Sequence, residues 1–521
     1  MNVLKTYLSP TRISQPAALT RGQAGKQLEA TSLARVIRVF TAWKALLLLV
    51  ALLAPGPGYD TSTRILFDQY RDVSTATGGW LAKTIEYMVL RLTRWDAIYF
   101  ATASERGHVY EQEWAFSWLS SHLTSTITRV LLHPLPSTAL VKHALAGILL
   151  SHLSHFLAVL LLYNLTYLLI PSSPDPAKRH LAFTSACLHI LSPAGLFLSA
   201  PNGESTFAFL AFLGSYSYAK AIENRYHRFA DAYQLDACWT LLAGLAFSFA
   251  TLIRTNGLLS GLTFAWDLSI LLPRLPQILR NRDTETITHL FATLTAGALI
   301  AASFIFPQAL AYTEFCTTEA SNPRPWCHAL PPSIYTYVQA HYWHTGFLAY
   351  WTLNNLPLFL LALPTILLLL ATSLTALSSP QMLLESLVDR RYHATQSPVT
   401  IEREGKVFEH VMKRFALPQL VLVGLGTTSF HVQILNRISS GCVGWVLVVG
   451  VWTCRGGRVG GVAGLGAGKD VDGKDGGGKE VSEWTMGGVA WREEWGQWIV
   501  RAAVVYAVVQ GGLYASFLPP A

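Results

Sequence analysis

Apolar runs long enough to cross a bilayer recur through almost the whole chain, and they constrain the fold more than any other feature. A membrane-spanning helix needs about 20 such residues. The runs 36–54, 143–170, 181–200, 206–220, 238–271, 287–307, 344–372, 415–432 and 497–518 meet or approach that length. The expected fold is all-α: a polytopic transmembrane helical bundle of about 8–11 spans, because a lipid-exposed backbone must satisfy its own polar groups. Charged residues make up only 13% of the 521, about half of what a soluble domain carries. The net charge of +8 is dispersed between the spans. That distribution excludes nucleic acid as a partner, which would need a basic face.

Lys and Arg in short loops set orientation. Residues 1–35 form a polar tail with Arg12, Arg21, Lys26 and Arg35 and no signal-peptide pattern. The tail is read as cytosolic, followed by an uncleaved first span. Lys178 and Arg179, Arg225 and Arg228, Arg274 to Arg282, and Arg390 to Arg414 then mark successive cytosolic loops. Residues 36–440 are expected to form a multi-span core with lumenal loops 55–142 and 308–343. The run 238–271 is too long for one simple span and is broken by Arg254-Thr255-Asn256-Gly257. Two half-spans meeting at the lumenal side fit it. Residues 441–496 are rich in Gly, a composition that buries too little apolar surface to order itself. They are read as a disordered insertion or a gene-prediction error, before a final span at 497–521.

Counted this way, Asp96, the turn Asn202–Glu204, the break Arg254–Asn256, the Cys316–Cys327 loop and His431 all fall on the lumenal face. An ionisable group near a bilayer is a functional candidate by default. Asp96, in Arg94-Trp95-Asp96, fits either a solvated ion pair on an amphipathic helix over 86–104 or a base facing a cleft. Glu111 and Glu113, two residues apart, do not converge on a helix; Glu113 is either solvated or a contact for a sugar hydroxyl. Asn202 and Glu204 suit a helix N-cap and first turn, or the lining of the cavity. Arg254 in an apolar run requires an acid or a phosphate. His431 is either a satisfied bundle histidine or a phosphate ligand. His341 and His344 have no third ligand at metal spacing, so no metal is expected, and Trp343 belongs to an interfacial aromatic belt. For Cys316 and Cys327, in a Pro-rich loop, a disulfide and two free thiols both fit. The oxidising lumen favours the disulfide. No phosphate-binding Gly loop, dinucleotide motif or nucleophile elbow is legible.

An ordered set of short blocks resembles one family. Arg94-Trp95-Asp96-Ala97 and Tyr110-Glu111-Gln112-Glu113-Trp114-Ala115-Phe116 come first. Ser192-Pro193-Ala194, Ser199-Ala200-Pro201, Glu204-Ser205 and Arg254-Thr255-Asn256-Gly257 follow. Then come Gln308 with Ala311-Tyr312 and Phe315-Cys316, Trp326-Cys327, Tyr342-Trp343, His431-Val432-Gln433 and Phe517-Leu518-Pro519. Together they resemble the GPI mannosyltransferase 2 (PIG-V-like) family, of the lipid-sugar-dependent GT-C class. Trp118 and Tyr99 depart from its pattern, and the match lapses past Gly441.

The resemblance implies an endoplasmic reticulum membrane enzyme with a lumenal active face. The donor would be dolichyl-phosphate mannose and the acceptor the first mannose of a GPI precursor, extended by an α-1,6 link with inversion. No cofactor is implied, and a small accessory membrane subunit is implied for fungal members. Asp96 would be the base, and Arg94, Trp95, Glu111, Glu113, Asn202, Glu204, Arg254, Asn256, Gln308, Trp343 and His431 would contact substrate. Two other readings are another dolichyl-phosphate-mannose-dependent enzyme and a non-enzymatic multi-span lipid transporter or scaffold.

Overall fold

The computed structural model describes residues 21–56, 61–70, 79–170, 175–227, 232–317, 324–387, 396–454 and 483–516. The tail 1–20, Asn322-Pro323, half of the Gly-rich segment (455–482) and Phe517–Pro519 lie outside them.

No strand occurs among the described residues. Helix α1 (Arg21–Leu53) leads into α2 (Ser62–Gln69), α3 (Trp80–Leu92), α4 (Asp96–Arg106) and α5 (Trp118–Ile127). The centre is α6 (Ala139–Leu169), α7 (Asp175–Ile190), α8 (Glu204–His227), α9 (Ala232–Ile253), α10 (Gly261–Leu271), α11 (Leu275–Asn281) and α12 (Thr284–Tyr312). After it come α13 (Ile334–His341), α14 (Leu356–Ser378), α15 (Pro380–Leu387), α16 (Pro398–Thr428), α17 (Leu435–Ile438), α18 (Val443–Cys454) and α19 (Glu483–Ala515). Among the described residues, seven helices are long and apolar enough to cross a membrane; the pair containing α17 and α18, bent by 76°, makes an eighth. The chain is a multi-span membrane protein.

Helix starts follow local chemistry. Asp283, Thr138 and Ser397 each accept a hydrogen bond from a backbone N–H in the first turn of α12, α6 and α16, satisfying a donor that has no partner inside the helix. The main core joins α6, α8, α9, α12, α14, α16 and α18 around Phe212, Tyr218, Phe264 and Trp445. A side chain at Gly244 of α9 would collide with Ala296 of α12, so this crossing depends on small residues, as membrane helix pairs commonly do. A second cluster seats α1, α3 and α19 against α6 and α7 through Leu47, Leu92, Leu140, Phe197, Ala507 and Tyr514.

Several boundaries differ from the sequence reading. The run 181–200 is not one span: α7 stops at Ile190, before Ser192-Pro193, and a separate turn covers Gly195–Leu198. Proline removes a backbone donor and disfavours a helical conformation in the residue before it, here Ser192. The expected helix over 86–104 is interrupted at Thr93–Trp95, so Asp96 begins α4. The Gly-rich segment does not begin at 441. Val443–Cys454 is a helix, buried along Val443–Trp452, within the main core. Its glycines make close contacts: a side-chain carbon at Gly444 would lie 2.9 Å from Gln419 Oε1, and one at Gly450 2.8 Å from Ser185 Oγ.

At one end of the bundle, ion pairs join α8 to α9 and α10 to α16. Arg225 Nη2 lies 3.0 Å from Asp236 Oδ1, and Arg414 Nε 2.8 Å from Asp267 Oδ1. Tyr218 Oη donates to the other Asp267 oxygen at 2.7 Å. Twenty-one helical residues separate Arg225 from Glu204, about 30 Å along α8. The broken helix and the start of α4 lie at the opposite end.

Candidate active site

The break at Arg254 follows from its backbone. Arg254 is extended (φ −148°, ψ 131°) between α9 and a short 3-10 turn over Thr255–Ser260. Gly257 N donates to Arg254 O at 2.8 Å. A side-chain carbon at Gly257 would come within 2.6 Å of Thr251 N and 2.7 Å of Thr251 Cα, so only glycine lets the chain fold back so closely. The turn beside it, Pro201–Glu204, starts α8 and puts Glu204 in the first helical turn, where the helix dipole favours a carboxylate.

Four charged side chains meet here. Arg437 Nη1 donates to Asp96 Oδ2 at 2.7 Å. Its Nη2 and Nε donate to Glu204 Oε1 at 2.5 and 3.0 Å. Arg254 Nη1 donates to the same oxygen at 2.9 Å. The Arg437 guanidinium also sits 4.1 Å from the centre of the Phe197 ring, adding a cation–π contact. Two acids and two arginines balance in charge, which makes the cluster tolerable in a low-dielectric setting. Exposure differs along it: Glu204 is 1% exposed and Asp96 38%. Asp96 is therefore the member available to a ligand.

Asp96 is presented by a strained backbone. Trp95 has φ 53° and ψ −127°, a conformation costing about 1–3 kcal/mol for a bulky residue unless its surroundings enforce it. Those surroundings include the last helix. Tyr514 Oη lies 2.9 Å from Leu92 O and 3.0 Å from Arg94 O, and accepts from Arg94 N at 3.2 Å. Thr63 Oγ1 adds a bond to Thr93 O at 3.0 Å. The backbone before Asp96 is thus held by Tyr514 and Thr63. One turn along, Tyr99 stacks on Phe116 at 4.7 Å. Burial first, then the charge of Asp96, raises its phenol above the ordinary range, so it remains an O–H donor.

The other expected site residues separate. Glu113 turns back, accepting from both Arg106 Nη atoms and from Val109 and Tyr110 N at 2.6–3.2 Å. Glu111 reaches the disulfide-bearing loop, accepting from Trp326 Nε1 at 2.9 Å and Tyr342 Oη at 3.0 Å. Both carboxylates hold structure and do not join the cluster. Cys316 and Cys327 form the disulfide, with Cα atoms 5.7 Å apart. Asn202 is buried, and neither polar atom of its side chain has a hydrogen-bond partner among the described residues, so it does not cap α8. Gln308 donates to Phe304 O and accepts from Ser333 Oγ. His431 Nε2 lies 3.1 Å from Trp343 O. A carbonyl only accepts, so Nε2 donates this bond and is committed to the Trp343 backbone.

Two clefts flank the broken helix. One is mostly apolar and is bordered by Phe207, Phe247, Asn256, Leu259, Phe415 and Leu422. The other is bordered by Trp114, Phe116, Trp118, Arg254, Gln308 and Tyr335.

The sequence reading missed Arg437. It is the one charged residue in Val432-Gln433-Ile434-Leu435-Asn436-Arg437-Ile438-Ser439, a weaker signal than the apolar run that singled out Arg254.

Residues 33–448 match the family described as Mannosyltransferase (PIG-V). The chain belongs to this family. Its relatives include GPI mannosyltransferase 2 of Aspergillus oryzae, 35% identical over 92% of this chain and 94% of that protein. GPI mannosyltransferase 2 of Aspergillus fumigatus is 34% identical over 99% of both, and that of Chaetomium globosum 35% over 92% and 95%. Likeness to solved structures is weak: the Archaeoglobus fulgidus oligosaccharyltransferase in the apo form matches with a TM-score of 0.36 and 13% identity, over 92% of this chain and 56% of that one.

Proposed function

We propose that the protein is a mannosyltransferase of GPI-anchor biosynthesis that moves mannose from dolichyl-phosphate mannose to the first mannose of a GPI precursor. The proposed setting is the lumenal face of the endoplasmic reticulum membrane. The family and the GPI mannosyltransferase 2 relatives support the reaction class. The observation that carries the mechanism is the Asp96–Arg437–Glu204–Arg254 cluster.

In this reaction the acceptor hydroxyl oxygen attacks the anomeric carbon as the bond to the phosphate oxygen breaks. The hydroxyl proton passes to Asp96, the most exposed acid of the cluster, and general-base assistance of this kind is worth about 10²–10⁴ in rate. Arg437 holds one Asp96 oxygen, so the carboxylate is oriented before substrate arrives. Dolichyl phosphate leaves with one more negative charge than the phosphate carried in the donor. Arg254, on the wall of the aromatic cleft, supplies a fixed cation for that charge. The aromatic cleft suits sugar rings, and the apolar cleft suits a prenyl chain. Inversion at the anomeric carbon follows from a single displacement.

The test is complementation of cells lacking the second GPI mannosyltransferase, together with transfer of labelled mannose in their membranes. Growth and label in the dimannosyl precursor are expected. Label in N-glycan or protein-linked mannose alone would assign a different acceptor.

A further inference from the structure

Lys44 lies in the middle of the membrane-spanning part of α1 and is buried. An ammonium there is costly, and intramembrane lysines are rarely kept without a role. No carboxylate among the described residues comes within 4.0 Å of it. Its Nζ instead donates to Leu198 O at 2.8 Å and to Ser199 Oγ at 2.8 Å. These acceptors belong to the segment between α7 and α8, which ends at Glu204. The same segment is held by two further hydroxyls: Ser205 Oγ donates to Leu198 O at 2.8 Å and Ser151 Oγ to Ala200 O at 2.7 Å. Leu198 O thus accepts twice, once from Lys44 and once from Ser205.

We infer that Lys44 is a positioning residue for the reaction: it fixes the 198–205 segment and thereby the placement of Glu204 beneath Arg437 and Arg254. Glu204 Oε1 receives bonds from both arginines, so a shift of this segment misplaces the guanidinium that holds Asp96. Phe197, which stacks on Arg437, lies next to the anchored carbonyl. Lys44 touches neither Asp96 nor the clefts and acts only through the turn. The inference rests on the cluster being the reaction centre.

The experiment uses the full chain in lipid nanodiscs, with Lys44→Met, Lys44→Arg and Ser199→Ala. Mannose transfer is measured as separate kcat and KM, and the Lys44→Met variant is imaged by cryo-electron microscopy beside the unsubstituted protein. Lys44→Met is expected to lower kcat roughly tenfold or more, the scale of a misplaced catalytic group, with KM little changed. The cryo map should place the Glu204 carboxylate off Arg437. Lys44→Arg should restore much of the rate, and Ser199→Ala should give a smaller loss in the same direction. Unchanged kcat in Lys44→Met, or an intact Glu204–Arg437 contact in its map, overturns the inference. If Lys44→Met does not fold, full activity in Ser199→Ala overturns it. Absence of mannose transfer by the unsubstituted protein would refute the proposed function instead, and the paired maps would still decide the role of Lys44.

Discussion

The Asp96 carboxylate and the Arg437 guanidinium, 341 residues apart in the chain, meet at 2.7 Å. Arg437 also bridges to Glu204, so a single side chain links the loop after the first span to the start of α8.

Replacing Arg437 with Met leaves Glu204 in a buried cluster with one cation fewer. Breaking a buried pair by removing one partner costs about 3–5 kcal/mol. The expected result is a lower melting temperature and loss of transfer. Arg437→Lys keeps the charge but not the planar fork that spans two acids, so it should fold better than Arg437→Met and still transfer poorly. Wild-type kcat in either variant would remove Arg437 from the mechanism.

Asp96→Asn retains shape and can still accept from Arg437, so insertion and melting should change little. Transfer should fall by about 10²–10⁴, read as label incorporated at saturating donor. A fall of less than threefold rules out Asp96 as the base.

Glu111 behaves differently because its carboxylate is a latch. Glu111→Gln weakens charge-assisted bonds from Trp326 and Tyr342, each worth about 1.5–3 kcal/mol. Melting temperature should drop while kcat stays within about threefold, the size of a change that spares the transition state. A large selective loss of kcat would return Glu111 to the substrate contacts.

His108 sits outside the spans, with its ring 5.1 Å from Trp114. Burial pushes its imidazole down to about 4 despite the opposing charge of Glu113. The folded value lies below the unfolded one, so the unfolded state binds more protons between pH 6.5 and 4 and stability falls as pH drops through that window. At 1.36 kcal/mol per unit, the loss is at most about 3 kcal/mol. His108→Phe should flatten melting temperature against pH over this range; an unchanged slope would contradict the assignment.

Deleting residues 441–490 should abolish activity, because it removes α18 from the core. Immunodetection of a degraded or uninserted product would confirm the cause, and a stable, active deletion would show that α18 is dispensable.

Part of the site was legible where a charge stood in an apolar run. Arg254 was flagged on that ground, Asp96 as an ionisable group beside the bilayer and Glu204 as the acid of a helix-starting turn, and the structure brings the three together. Arg437 sits among polar neighbours such as Asn436 and Ser439 and follows His431, the residue that drew the reading of that stretch. Glu111 and Glu113 were not separable by sequence, since the 3-10 turn over Glu111–Ala115 sends neighbouring acids to different partners. The start of the Gly-rich segment was misjudged because composition counts glycines without seeing their neighbours. Gly444 and Gly450 make close helix contacts, as glycines in membrane bundles often do. Pairing through Tyr514 and Lys44 depends on long-range packing, which periodicity does not encode.

The bonds from Tyr514 to Leu92 and Arg94 set a timetable for biogenesis. The Asp96 segment leaves the ribosome hundreds of residues before the helix that braces it. A nascent or prematurely terminated chain therefore holds the early motif without its brace. The brace arrives only with the final turn of α19, so the Trp95 turn goes unsupported until synthesis is nearly complete.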